Sequence, residues 1–194
     1  LNKVIVVGGG ASGMVAAIVA KRNGDDVTLL ERNDRVGKKL LSTGNGRCNY
    51  TNTTINVGNL LENYHSNNPK FIYNALYNFD VYQAIDFFEK LGILDILRYE
   101  IENLGIELFT DAYVVEIKKY KNFILKLKDK RTFESDSVIL ATGGMAMPAS
   151  GSDGNGYGLA KYFGHKLIDT FPGLVQLNLE GNIFKQLKGI KFPG

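Results

Sequence analysis

Apolar positions along this chain fall into short unbroken runs, helical stripes and alternating stretches, and these predict the elements in order. Lys3-Val4-Ile5-Val6-Val7 is apolar almost without interruption and short, which predicts a strand buried on both faces. Residues 14–21, rich in Ala, Val and Ile, predict a helix stopped near Asn23-Gly24. Val27-Thr28-Leu29-Leu30 predicts a second strand, closed by the acid Glu31. Over residues 69–92, Phe71, Ala75, Leu76, Phe79, Ile85, Phe88 and Leu91 recur at three- and four-residue spacing, predicting helix with these side chains in the core. Another helix is predicted over 95–104, stopped by Gly105, and then a strand over Ile106-Glu107-Leu108-Phe109. Alternation over 113–118, 123–127 and 132–135, separated by Lys121-Asn122 and Asp129-Lys130, predicts a three-stranded antiparallel meander. Ser137-Val138-Ile139-Leu140-Ala141 predicts one more buried strand, 157–163 a short helix ended by Gly164, and 165–168 a strand.

Buried strands interleaved with helices predict an α/β fold: a doubly wound, Rossmann-type, three-layer domain over residues 1–170 with an antiparallel β-meander. After the turn at Pro172-Gly173, strands over 174–179 and 187–192 predict that residues 171–194 begin a second domain. One junction breaks this order. Glu89-Lys90-Leu91-Gly92-Ile93 and Glu102-Asn103-Leu104-Gly105-Ile106 share one helix-exit pattern, with Gly after the last turn. The second exit leads to a strand, but the first runs into another helical pattern with no turn chemistry between. The junction predicts that residues are absent between about Gly92 and Asp95.

The first strand runs directly into Gly8-Gly9-Gly10-Ala11-Ser12-Gly13, which fits G-x-G-x-x-G. Gly8 allows the tight turn, Gly10 lets the backbone approach a pyrophosphate, and Gly13 lets helix and strand pack closely. A helix N-terminus beyond such a turn offers unpaired N–H groups and a partial positive charge to phosphates. Glu31, 18 residues past Gly13, is placed to accept hydrogen bonds from ribose hydroxyls and to repel a 2′-phosphate. A second loop, residues 35–49, mixes glycines, cations and small hydrogen-bonding side chains, the composition of a phosphate and ribityl cradle. A third lies beyond Gly144, in Met147-Pro148-Ala149-Ser150-Gly151-Ser152-Asp153-Gly154-Asn155-Gly156.

Composition narrows the function classes. A chain of 194 residues can hold one well-cored domain, or one domain and part of another. Its net charge of +3, with basic residues interspersed among acids, argues against a nucleic-acid partner. No apolar run approaches the roughly 18 residues that span a bilayer, and the first strand begins at once, so neither membrane nor signal peptide is expected. Cys48 is the lone cysteine, which excludes an internal disulfide and points to the cytoplasm. Two separated histidines, His65 and His165, and one cysteine predict no metal site. No catalytic acid, base or nucleophile stands out. Cys48 beside Arg47 has no partner cysteine for dithiol chemistry.

The three loops together resemble the bacterial FAD enzymes of the aminoacetone-oxidase-like and bile-acid-reductase-like kind, within the glutathione-reductase and fumarate-reductase superfamily. The specific likeness lies in Gly37-Lys38-Lys39-Leu40-Leu41 with Thr43-Gly44-Asn45-Gly46-Arg47-Cys48-Asn49, while Ala141-Thr142-Gly143-Gly144 matches the superfamily's second motif. The resemblance implies an FAD-dependent oxidoreductase acting on a small organic substrate, with NAD(P)H as electron partner. On this reading Gly8, Gly10, Ala11, Ser12 and Gly13 hold the pyrophosphate, Glu31 the ribose, and Arg32 and Lys39 balance phosphate charge. Asn45, Gly46, Arg47 and Asn49 line the ribityl and flavin side, Thr142 and Gly143 close over the phosphates, and Val114 contacts adenine through its backbone. Two departures stand out. Gly154-Asn155-Gly156-Tyr157 replaces the family's Gly-Asp-Gly-Tyr, removing a carboxylate, and the family's C-terminal FAD segment is missing. The resemblance therefore implies an incomplete flavoprotein, expected by itself to hold little cofactor and show no turnover. Two alternatives stay open: an NAD(P)-binding module without flavin, and a non-catalytic or RNA-modification flavoprotein.

Overall fold

The computed structural model describes residues 1–41, 52–54, 58–59, 68–89 and 95–172. Strand β1 (Lys3–Val7) leads through helix α1 (Ala11–Arg22) to strand β2 (Asp26–Leu30), and the short helix α2 (Lys38–Leu41) follows. A 3-10 turn (Pro69–Ile72) precedes α3 (Tyr73–Asn78), α4 (Val81–Glu89) and α5 (Asp95–Asn103). Strand β3 (Glu107–Phe109) comes next, then β4 (Val114–Lys119), β5 (Phe123–Leu127), β6 (Thr132–Ser135) and β7 (Ser137–Leu140). Helix α6 (Asn155–Tyr162) closes the described part.

The main sheet has the order β3-β2-β1-β7, all parallel, and β4-β5-β6 form a separate antiparallel sheet. In β1, Ile5 stands opposite Thr28 on one side and Val138 on the other. Because side chains alternate along a strand, β1 serves two cores at once. Val4 and Val6 pack with Met14, Ala17 and Ile18 of α1 and with Leu97 and Ile101 of α5. Ile5 and Val7 face the meander, against Val114, Ile117, Leu125 and Leu127, with Leu159 and Phe163 from the α6 end joining. Burial on both faces explains the unbroken apolar run of β1. The result is the expected three-layer α/β arrangement: helices on one face of the parallel sheet, the meander on the other.

Three local expectations are corrected. Residues 69–89 are not one helix but a 3-10 turn and two helices, broken at Phe79, whose φ and ψ are −147° and 86°. The break is stabilised by a capping box: the Gln83 N–H donates to Asp80 Oδ1 and the Asp80 N–H to Gln83 Oε1, both at 2.8 Å. Phe71, Ala75 and Phe79 are exposed rather than core, since the break turns this face away from the packed layers; Phe79 makes an edge contact with Phe87. Residues 165–168 form no strand, because no described strand lies beside them to share hydrogen bonds, and Ile168 is largely exposed. The junction near 92–95, the side chains of Phe88 and Leu91, and the strands expected at 174–179 and 187–192 lie outside the described residues.

Candidate cofactor site

In a parallel sheet the crevice opens at the C-terminal ends of the strands, where neighbouring strands send their connections in opposite directions. Here that point lies at β1, between β2 and β7. The Gly8 N–H donates to the Leu30 carbonyl at 2.8 Å, and the Ala141 N–H to the Val7 carbonyl at 2.8 Å. The glycine turn, the end of β2 and the end of β7 are thereby tied around one cavity of about 410 Å³.

The glycines of the turn differ in what surrounds them. Gly8 has φ +110°, and a Cβ there would strike the Ala141 carbonyl oxygen. A Cβ on Gly13 would strike the Gly8 carbonyl oxygen, which is the close helix–strand contact the motif requires. At Gly10 a Cβ would meet nothing within 4 Å, because it would project into the cavity. Gly10 is also the N-cap of α1, with no side-chain cap and no acid in the first turn. The Met14 N–H donates to the Gly10 carbonyl at 2.9 Å, while no described residue accepts from the Ala11 or Ser12 amide. An uncapped helix start beside an open glycine is a ready anion site.

Glu31 closes the other side of the turn and is buried. Its Oε2 accepts from the Gly9 N–H at 2.6 Å, and its Oε1 from the Asn33 N–H at 2.8 Å and from Asn33 Nδ2 at 2.6 Å. Arg32 pairs with Asp153 of the third loop (Nη1 to Oδ2, 2.9 Å) and stacks over the Tyr113 ring at 5.4 Å. That hydrogen bond from Arg32 holds the Asp153 carboxyl below its ordinary value. The third loop is seated against the second motif, since a Cβ on Gly156 would collide with Thr142 Oγ1.

Of the residues expected from sequence, Gly8, Gly10, Ala11, Ser12, Glu31, Arg32, Lys39, Val114, Thr142 and Gly143 line this cavity, and Gly13 packs behind it. Asn45, Gly46, Arg47 and Asn49 lie outside the described residues, as do Cys48 and His65. His165 is exposed, away from the lining. Sequence reading missed Gly9, Asn33, Tyr113, Gly151 and Ser152 as lining residues. Asn33 had a signal, two positions past the acid that ends β2; Gly151 had one in its Ser-Gly-Ser setting. Among the described residues no group of His, Cys, Asp and Glu is placed to hold a metal, and no helix is long and apolar enough to cross a membrane. The wall offers anion donors at its centre and a buried carboxylate at one end, which fits the diphosphate and ribose of a dinucleotide.

The chain matches the family described as HI0933-like protein Rossmann domain over residues 2–94 and 91–194. It is 36% identical to a 3-dehydro-bile acid delta(4,6)-reductase of Clostridium scindens over 213 residues, 98% of this chain and 51% of that protein. It is 30% identical to a ribosomal RNA dihydrouridine synthase of Escherichia coli over 212 residues, 97% of this chain and 52% of that protein. It thus spans about half the length of the curated relatives it matches. The open conformation of a flavocytochrome c3 fumarate reductase has the same fold, with a TM-score of 0.58 at 19% identity over 83% of this chain and 40% of that one.

Proposed function

The chain belongs to the HI0933-like Rossmann-domain family, and on that premise we propose that it binds FAD and serves an oxidoreductase that reduces carbon–carbon double bonds. The observation that carries this reading is the open Gly10 beside the unpaired start of α1, with the Glu31 carboxylate across the turn. The amides of Ala11 and Ser12 would hold the pyrophosphate, Glu31 a ribose hydroxyl, and Val114 the adenine edge. Lys39 would offset phosphate charge, and Thr142 and Gly143 would close the cavity from β7. Asn45, Gly46, Arg47 and Asn49 are assigned to the flavin side on the family likeness alone. Arg32 is already held by Asp153 and Tyr113, so its role on this reading is to fasten the third loop. When bound, FAD would supply the hydride chemistry.

The relatives' names support one substrate class. A 3-dehydro delta(4,6) bile acid carries a 3-oxo group conjugated with ring double bonds, and uridine carries a C5=C6 bond conjugated with its C4 carbonyl. Both products gain two hydrogens across an electron-poor alkene. We infer the same net reaction here: NAD(P)H and a proton reduce an alkene conjugated with a carbonyl, leaving NAD(P)⁺. The favoured substrate is a small organic molecule, as in the more similar relative. Uridine within RNA is the second reading, supported by the Escherichia coli relative.

Mass spectrometry of the denatured full-length protein tests the cofactor: released FAD is expected, and a colourless full-length protein that binds NADH without FAD would contradict the proposal. Full-length protein supplied with NAD(P)H and a conjugated steroid ketone should bleach the enone absorbance. Dihydrouridine appearing in ribosomal RNA without steroid reduction would favour the second reading.

A further inference from the structure

The buried carboxylate of Glu31 is almost fully committed to groups of the protein itself. A carboxylate has about four lone-pair sites. Among the described residues three are taken: two on Oε1, by the main-chain N–H and side-chain amide of Asn33, and one on Oε2, by the Gly9 N–H. One site remains, on Oε2, the oxygen that also touches the glycine turn. Asn33 is fixed in turn. Its carbonyl accepts from the Asp111 N–H at 3.0 Å, and its Nδ2 lies 2.9 Å from where a Cβ on Gly151 would sit, so the third loop rests against it. Glu31, Asn33 and Gly151 all line the cavity.

We propose that Asn33 is a positioning residue that locks Glu31 so that its carboxylate accepts one hydroxyl of the ribose diol and not both. The inference rests on the reading of this cavity as a dinucleotide site. Pinning Oε1 fixes the carboxylate plane, and the Gly9 contact fixes the distance between the ribose end and the pyrophosphate turn. Losing Asn33 would free Oε1, let the carboxylate rotate, and remove the support under Gly151.

Calorimetric titration with ADP, 2′-deoxy-ADP and 3′-deoxy-ADP tests the claim. In the wild-type protein one deoxy analogue should bind roughly tenfold or more weakly than ADP, as a lost hydrogen bond to a charged group implies, and the other within about twofold of it. Equal losses for both analogues, or a loss for neither, would overturn the single-acceptor assignment. In Asn33→Ala, ADP should weaken and the gap between ADP and the sensitive analogue should close. If all three nucleotides weaken by the same factor and the gap persists, Asn33 is only structural and its positioning role is wrong. Absence of any ADP binding to the wild-type protein would instead remove the dinucleotide reading on which the proposal stands.

Discussion

A side chain added at Gly10 would enter open cavity, whereas one added at Gly13 would strike the Gly8 carbonyl oxygen. Gly10 has φ −76° and ψ −177°, ordinary extended backbone, so nothing in the fold forbids a larger residue there. Gly10→Val should therefore fold with a loss of no more than about 1 kcal/mol, the order of an N-cap substitution, yet fail to bind FAD or ADP. Gly13→Val should lose about 3 kcal/mol or more, because the clash is with backbone and not with a side chain that can move. Urea unfolding paired with ADP titration separates the two; a Gly10→Val protein that binds ADP normally would show that phosphates do not occupy this space. The two residues stand three apart in one motif, and their spacing was legible because the local turn dictates it. The contacts of Gly9 and Asn33 were not legible, although the place of Asn33 just past the acid that ends β2 was a signal. Their partners lie across the turn in Glu31 and across the cavity in Gly151, and only the closed fold brings these together.

Among the elements, those read from continuous or alternating apolar patterns came out close to their expected bounds, β5 and β6 with the same limits. Where apolar spacing alone was used, over 69–92, the helix had no competing signal until Asp80-Val81-Tyr82-Gln83 is read as a capping box. Helix α1 starts at Ala11, three residues before its apolar stripe, because the first turn follows the glycines and needs no apolar side chains. The join between the end of β2 and the third loop depends on charge and gives a pH prediction. Hydrogen bonding to Arg32 depresses the Asp153 carboxyl below its ordinary value, so the pair stabilises the fold at neutral pH. That contribution is present above the unfolded value and is lost as pH falls through the lower folded value. Both side chains keep solvent contact, and screening limits the pair to within about 1 kcal/mol. Urea melts of wild type and Asp153→Asn should differ by that order at pH 7 and converge as pH falls through the lowered folded value of Asp153. A difference that persists undiminished in acid would mean the pair is not its source.

At the scale of the whole molecule, the layer order followed from one consideration: β1 and β2 are apolar on both faces, so both had to be covered. The sequence pattern leaves the join between α4 and α5 as an anomaly, since the helix-exit pattern ending on Gly92 predicts a strand or a loop next and not another helix. The family match divides into residues 2–94 and 91–194, meeting where the doubled exit occurs. The alignment with the Clostridium scindens reductase runs over 213 positions against 194 residues here, so at least 19 positions of that protein (213 − 194) have no counterpart in this chain. The doubled exit pattern predicts a further segment of the native protein between about Gly92 and Asp95. Trypsin cuts after Lys90 and Arg98, so a continuous chain would release the peptide Leu91-Gly92-Ile93-Leu94-Asp95-Ile96-Leu97-Arg98. Digestion of the protein purified from its source should yield α5 joined to other residues, with this octapeptide absent. Its detection in good yield would establish that the two helices are joined directly and that the doubled exit is a native feature of the chain.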